Sequence, residues 1–226
     1  MNSEFLNIIE NIYDDQERNL ACEYFSKYWL DKAGFDTKWL NVKNSVFRKE
    51  AKLLPDLMFN SDFIVIPKVG GDIFTGIRDF NRLSSFMREL GDVEFAIVQN
   101  QDSNTENSIN FNPVLDEIRR FHYPTTIEWD ELMSGGTIGC EHFNNGRKDY
   151  FLFGDQGKWG RYVANSWLNP RFPNELTPLI LDGVRSEYLF EYKNSFLTLP
   201  ASELETKDQL FLPLWLPDEY SADLNT

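Results

Sequence analysis

The sequence predicts an α+β fold in one domain spanning residues 1–226, with a helical N-terminus, a mixed sheet containing a β-α-β unit, and a C-terminal antiparallel meander. Three observations carry this. Apolar residues recur at helical spacing near the N-terminus; a β-branched run, a helical period and an alternating run succeed one another between Phe63 and Val98; and strand-like pieces separated by turn residues fill Ile127 to Asn165.

Taken in order, Phe5, Ile8, Ile9 and Ile12 lie three and four residues apart behind Ser3, a suitable N-cap. A second helix starts at Asp14 or Asp15, with Leu20, Tyr24, Tyr28, Phe25 and Trp29 along its apolar side and Gly34 as its stop. An aromatic stripe at this spacing reads as core. Between residues 38 and 52, Lys38, Lys43, Arg48, Lys49 and Lys52 stand against Glu50 alone, with Trp39 and Phe47 among them. Basic residues interleaved with aromatics are one way to hold a nucleic-acid strand. In so acidic a chain, a solvated helix or loop face fits better.

Phe63-Ile64-Val65-Ile66 reads as a buried strand closed by Pro67 and Gly70-Gly71. Ile77, Phe80, Leu83, Phe86, Met87 and Leu90 then keep helical spacing until Gly91, and Val93 to Val98 reads as a strand. For strand, helix and strand in succession, parallel pairing with a right-handed crossover is the default. The polar stretch Gln99 to Asn110 reads as a loop, with an internal boundary near 100–110, and a short helix is expected around Val114 to Phe121. Gly136 to Phe143, Asp149 to Phe153 and Trp159 to Ala164 are the three pieces of the meander. Asn144-Asn145-Gly146 and Gly154-Asp155-Gln156-Gly157-Lys158 turn between them. Ile180 and Leu181 suggest another strand, Gly183 to Phe196 a helix, and Pro200 to Pro217 an irregular apolar cover.

Composition narrows the functions. With 42% hydrophobic and 15% aromatic residues the chain has ample area for a core, which excludes disorder. The net charge of -14, with a pI near 4.6, repels phosphate and anionic lipid at long range, so nucleic acid and membrane surfaces are not expected partners. The excess is uneven: 16 acidic against 12 basic residues in 1–100, and 20 against 10 in 101–226. Solubility explains this, and so does attraction to a basic partner protein. No apolar run approaches the roughly 18 residues a membrane span needs, and Met1-Asn2-Ser3-Glu4 does not open a secretory leader. The expectation is a cytoplasmic protein. Cys22 and Cys140 lack disulfide or zinc spacing and are expected to be buried and inert.

The search for chemistry yields little. His122 and His142 are the two histidines, and no nucleophile elbow, HExxH or phosphate-binding loop motif occurs. Cys140 and His142, two apart, would share one face of a strand, as a nucleophile-base pair or by chance. Glu128, Asp130 and Glu131 offer close carboxylates, which bind a cation or simply complement a helix N-terminus. Asp182 with Glu191-Tyr192-Lys193 falls short of a nuclease arrangement, because the residues before Glu191 read as helix. The densest signal is Gly154-Asp155-Gln156-Gly157-Lys158-Trp159-Gly160. A phosphate loop should open a helix, whereas this run opens a strand, so a tight hairpin needing positive φ at glycine is expected. An exposed tip there, with Asp155, Gln156, Trp159 and Arg161, would suit a protein contact. No catalytic residue, metal ligand or cofactor is assigned.

The run Asp149 to Asn165, Asp-Tyr-Phe-Leu-Phe-Gly-Asp-Gln-Gly-Lys-Trp-Gly-Arg-Tyr-Val-Ala-Asn, resembles a hairpin of the SUKH superfamily, the bacterial proteins related to Smi1/Knr4. The resemblance spans the segment from Ile127 onward. It implies a protein without a catalytic site that neutralises a toxin by binding it, and it carries no functional residue over to this chain. The expectation is therefore a non-enzymatic acidic binding protein whose partner surface includes Asp155, Gln156, Trp159, Arg161, Glu128, Asp130 and Glu131. The alternative is a small-ligand binder or enzyme with a carboxylate-lined cleft. Sequence leaves the oligomeric state open.

Overall fold

A computed structural model describes residues 9–10, 12–48, 58–69, 73–100, 119–134, 149–164 and 179–196. The expected cap at Ser3, the glycines 70 and 71, most of the polar stretch 99–110, the strand Gly136 to Phe143 with its Asn-Asn-Gly turn, and the cover at 200–217 lie outside them. The α+β class holds. Helix α1 (Asp15–Tyr28) begins where the Asp14 Oδ1 accepts the Glu17 amide at 2.9 Å, and buries Tyr24, Phe25 and Tyr28. It stops well before Gly34, because Trp29 turns extended and bridges to Phe121 while the Leu30 amide donates to the Arg120 carbonyl. Leu20, expected on the apolar side, is exposed.

A new turn, Lys32–Gly34, capped by Asp31, runs through a π-helical stretch, Phe35–Trp39, into α2 (Leu40–Val46). The described part of the basic segment is thus helical, and its aromatics are interior: Trp39 packs on Phe153 and Phe47 on Phe151, with ring centroids 5.8 and 4.8 Å apart. They offer no platform for a base.

Among the described residues six strands form one sheet: β1 (Phe63–Val69), β2 (Glu94–Gln99), β3 (Arg120–Pro124), β4 (Tyr150–Gly154), β5 (Trp159–Ala164) and β6 (Leu179–Arg185), in the order β1-β6-β5-β4-β2-β3. Every pairing is antiparallel, so the expected mixed sheet is corrected. The strand-helix-strand succession exists, through α3 (Ile77–Glu89), but three strands separate β1 from β2. Phe121, expected at the end of a helix, lies in β3, paired with Ile97. Of the expected meander, Asp149–Phe153 and Trp159–Ala164 pair antiparallel as β4 and β5, with β6 added beside β5, while the Gly136–Phe143 piece lies outside the described residues. Gly157 has φ 62°, as its hairpin demands, and the Gly157 amide closes the turn on the Gly154 carbonyl. The expected helix from Gly183 begins later: β6 runs to Arg185, and α5 (Leu189–Phe196) follows a 3₁₀ turn.

Both faces of the sheet are covered. One carries Phe95, Ile97, Phe121, Tyr123, Leu152, Trp159, Val163 and Ile180 against α1, α3, α5 and the short α4 (Trp129–Leu132). The other carries Ala96, Val98, Phe151, Phe153, Tyr162 and Leu181 against Trp39, Val46, Phe47 and Phe59. On this second face Gly160 and Gly183 stand opposite one another in β5 and β6, and the Phe59 ring lies where a Cβ on Gly183 would be, 2.2 Å away.

The first face also buries charge. Arg161 (0% exposed) spends all five guanidinium donors: Nε and Nη2 on Asp182, Nη1 and Nη2 on Asp79, and Nη1 on the Ile73 carbonyl, at 2.6 to 3.1 Å. Asp182 also accepts from Lys68 at 2.6 Å and from the Tyr192 hydroxyl at 2.7 Å. Burial alone would push the Asp182 and Asp79 carboxyls up, but Arg161 and Lys68 outweigh it and hold both below the ordinary carboxylate value.

Arg161→Met leaves two buried carboxylates facing Lys68 alone and should cost about 3–5 kcal/mol in urea unfolding. Because both carboxyl pKa values are depressed by folding, their contribution is present above about pH 4 and is lost as pH falls below it. Asp182→Asn should flatten that acid limb while lowering stability at neutral pH. Gly183→Ala forces the Phe59 ring to move and should cost about 1–3 kcal/mol by the same measurement, with the m-value unchanged.

Candidate functional site

Strands β2, β3 and β4 lie side by side, and three turns converge where β2 begins and its two neighbours end. Val93 is the junction: its carbonyl accepts the Thr125 amide at 3.0 Å, and its amide donates to Asp155 Oδ1 at 3.3 Å. The Asp155 amide donates to the Glu94 carbonyl at 3.0 Å. Asp155 after β4 and Thr125 after β3 are thereby anchored on Val93, which is 66% exposed, and Glu128 to Glu131 follow Thr125 in the chain.

The expected partner surface is corrected at two positions. Trp159 and Arg161 are 1% and 0% exposed, because residues alternate along β5 and both point into the first core. They cannot touch a partner. Gln156 is exposed and Asp155 half-buried at the hairpin tip. Glu128, Asp130 and Glu131 are exposed, with Glu128 the N-cap residue of α4 and the two others in its first turn, as expected of acids at a helix start. Glu131 is already engaged: Lys27 Nζ donates to it, and so does the Tyr28 hydroxyl at 2.5 Å, bonds that lower its carboxyl pKa.

Behind the tip sits a residue that sequence reasoning missed. Asp92 is 3% exposed, and its carboxylate accepts the Gln156 amide at 2.8 Å on one oxygen and the Trp159 indole N–H at 2.7 Å on the other. Burial pushes this carboxyl up to about 6; the two donors pull it down, and the neighbouring Asp155 carboxyl adds to the rise. In sequence it is an acid after a helix-stopping glycine, which reads as an ordinary turn. Lys158 completes the turn by donating to the Leu90 carbonyl at 2.6 Å.

Beside the turns, an open groove of about 520 Å³ runs between α3 and residues 126–130, with Asn81, Ser85, Arg88, Glu128 and Asp130 around Phe80 and Trp129. Its Ser84 hydroxyl donates to the Thr125 carbonyl at 2.7 Å, a structural bond that leaves it no base to activate it. His122 is half-buried on β3, on the sheet face away from α3, and burial pushes its imidazole down, so it is neutral at pH 7. Cys140 and His142 lie outside the described residues. Cys22, expected buried, is a half-buried free thiol. Among the described residues no three His, Cys, Asp or Glu side chains are grouped to hold a metal ion, and no helix is long and apolar enough to cross a membrane.

The chain matches no protein-family model, no curated protein and no solved structure. The chemistry of the site therefore rests on its own geometry. Asp92 is a buried acid with a raised pKa at the root of the hairpin tip, and its titration is measurable. In a carboxyl-carbon NMR titration Asp92 should titrate near pH 6, about two units above a free aspartate, and the Trp159 indole N–H resonance should move with the same midpoint. A midpoint near 4 would remove Asp92 from the account.

Proposed function

We propose that the chain is a non-enzymatic binding protein whose acidic end surface, formed by the turns around Val93, engages a basic partner protein. The observation that carries this reading is the exposed Val93, bonded on one side to Asp155 and on the other to Thr125, three residues before the exposed Glu128: an apolar point with carboxylates in the adjoining turns suits a cationic surface with an apolar centre. The resemblance of Asp149 to Asn165 to the SUKH superfamily makes a toxin the partner to look for, and the role that of an immunity protein. Glu131 contributes less than its neighbours, since Lys27 already offsets its charge.

A second reading draws on the groove beside α3, whose volume falls in the range of small-ligand sites and whose lining mixes Arg88 with Glu128 and Asp130. Its openness to solvent and the bonded state of Ser84 favour the binding-protein reading over catalysis.

The test is kinetic. A basic toxin domain encoded beside this gene should associate with a rate that falls roughly tenfold or more between about 50 and 500 mM salt. Reversing Glu128, Asp130 and Asp155 to Lys together should lower the association rate by a similar factor and change dissociation little. Binding that ignores both salt and these substitutions, or no binding by any such neighbour, overturns the proposal.

A further inference from the structure

The end of the sheet opposite the acidic turns holds a different chemistry. Arg119, the residue before β3, lies in one row with Gln99 of β2 and Tyr150 of β4: the Gln99 amide donates to the Arg119 carbonyl at 2.9 Å, the Arg119 amide donates to Gln99 Oε1 at 3.1 Å, and Gln99 pairs with Tyr150. Opposed residues of antiparallel strands point to the same face, here the face of the first core. Arg119 is 1% exposed and Gln99 2%, yet Arg119 Nε and Nη1 and Gln99 Nε2 have no hydrogen-bond partner. None of the ion pairs among the described residues engages Arg119. The nearby carboxylate, Asp149, accepts the Tyr162 hydroxyl, and its charge acts on the Tyr150 hydroxyl alongside that of Arg119. The charge of Arg119 still reaches Tyr150, whose hydroxyl burial pushes up to about 12 against the pull of the guanidinium.

These unmet groups are all donors, and one carries a full charge. A buried guanidinium with unmet donors, and with no ion pair among the described residues, is an expensive arrangement for a core, in contrast to Arg161, whose every donor is met. The partner such a site lacks is an oxygen-rich anion, since a planar guanidinium edge and a carboxamide N–H₂ together match an oxyanion's lone pairs. We propose that Arg119 and Gln99 form an internal oxyanion-binding site for a small carboxylate or phosphate. The acidic exterior repels anions at long range, so capture depends on short-range contact at low local dielectric. The site is independent of the acidic turns, which lie at the other end of β2.

The test compares thermal unfolding of the full chain in sodium chloride, sodium phosphate and sodium succinate at matched ionic strength. The wild type should gain roughly 3 °C in Tm in phosphate or succinate over chloride. Arg119→Met should abolish that gain and, in chloride, unfold at or above the wild-type temperature, because it removes an uncompensated charge. Gln99→Leu should at least halve the gain, and the triple reversal of Glu128, Asp130 and Asp155 should leave it intact. No gain over chloride overturns the proposal. So does a gain that persists in Arg119→Met, the mark of an adventitious ion only. A Tm several degrees lower for Arg119→Met in chloride also overturns it, by showing that a carboxylate of this chain already neutralises the guanidinium.

Discussion

The guanidinium of Arg161 is the fixed point of this fold. It sits in the middle of β5, and its two carboxylate partners come from β6 and α3, with Lys68 of β1 and Tyr192 of α5 completing the cluster. Five elements drawn from residues 68 to 192 therefore meet on one polar knot inside an apolar core. Its charges balance, two cations against two carboxylates, and every guanidinium hydrogen is used. Such a knot contributes less to net stability than apolar packing of the same volume would, because each ion loses its hydration. What it contributes here is discrimination between arrangements. Slipping β5 by one residue against β6 would turn Arg161 away from Asp79 and Asp182 and toward the second core, among Phe47, Phe59 and Tyr162.

The same alternation governs the other face. Trp159, Arg161 and Val163 fill the first core, and Gly160 and Tyr162 belong to the second. The paired glycines at 160 and 183 create a shallow floor on which the Phe47 and Phe59 rings, 5.0 Å apart, can lie against the backbone. One strand thus carries Trp159 and Arg161 on one side and Gly160 beside Tyr162 on the other, and both sides are buried. The two packing problems are solved by opposite means, a large polar side chain with saturated bonds and an absent side chain.

This explains which parts of the structure were legible in the sequence. Local chemistry was readable: Asp14 as a cap, the period of α3, the Gly154 to Lys158 turn with its positive φ at Gly157, and the acids opening α4. Topology was not, because β6 slots between β1 and β5 on the strength of contacts such as Lys68 to Asp182, which span more than a hundred residues and leave no periodic trace. Arg161 and Trp159 looked like a contact surface because a charged and an aromatic residue beside a glycine turn usually face water. The cue that they do not is the partner carboxylate, and nothing near them in sequence supplies it. Asp92 was passed over for the same reason: its two donors, Gln156 and Trp159, come from a turn more than sixty residues away.

The distribution of charge then follows from the interior rather than from the composition alone. Buried cations, Lys68, Arg119, Arg120 and Arg161, are matched in number by the buried or nearly buried acids Asp79, Asp92, Asp149 and Asp182. The acidic excess is therefore not consumed inside the described core. Among the described residues the surface acids are offset in part by local pairs such as Lys27 with Glu131 and Lys38 with Glu94. Matching in number is not matching in space, however. Asp92 serves the hairpin tip at one end of the sheet and Arg119 stands at the other, so a surplus carboxyl and a surplus guanidinium occupy opposite ends of β2 and cannot neutralise each other. The two ends of β2 therefore differ in chemistry: exposed carboxylates in the turns at one, and buried N–H donors without hydrogen-bond partners at the other.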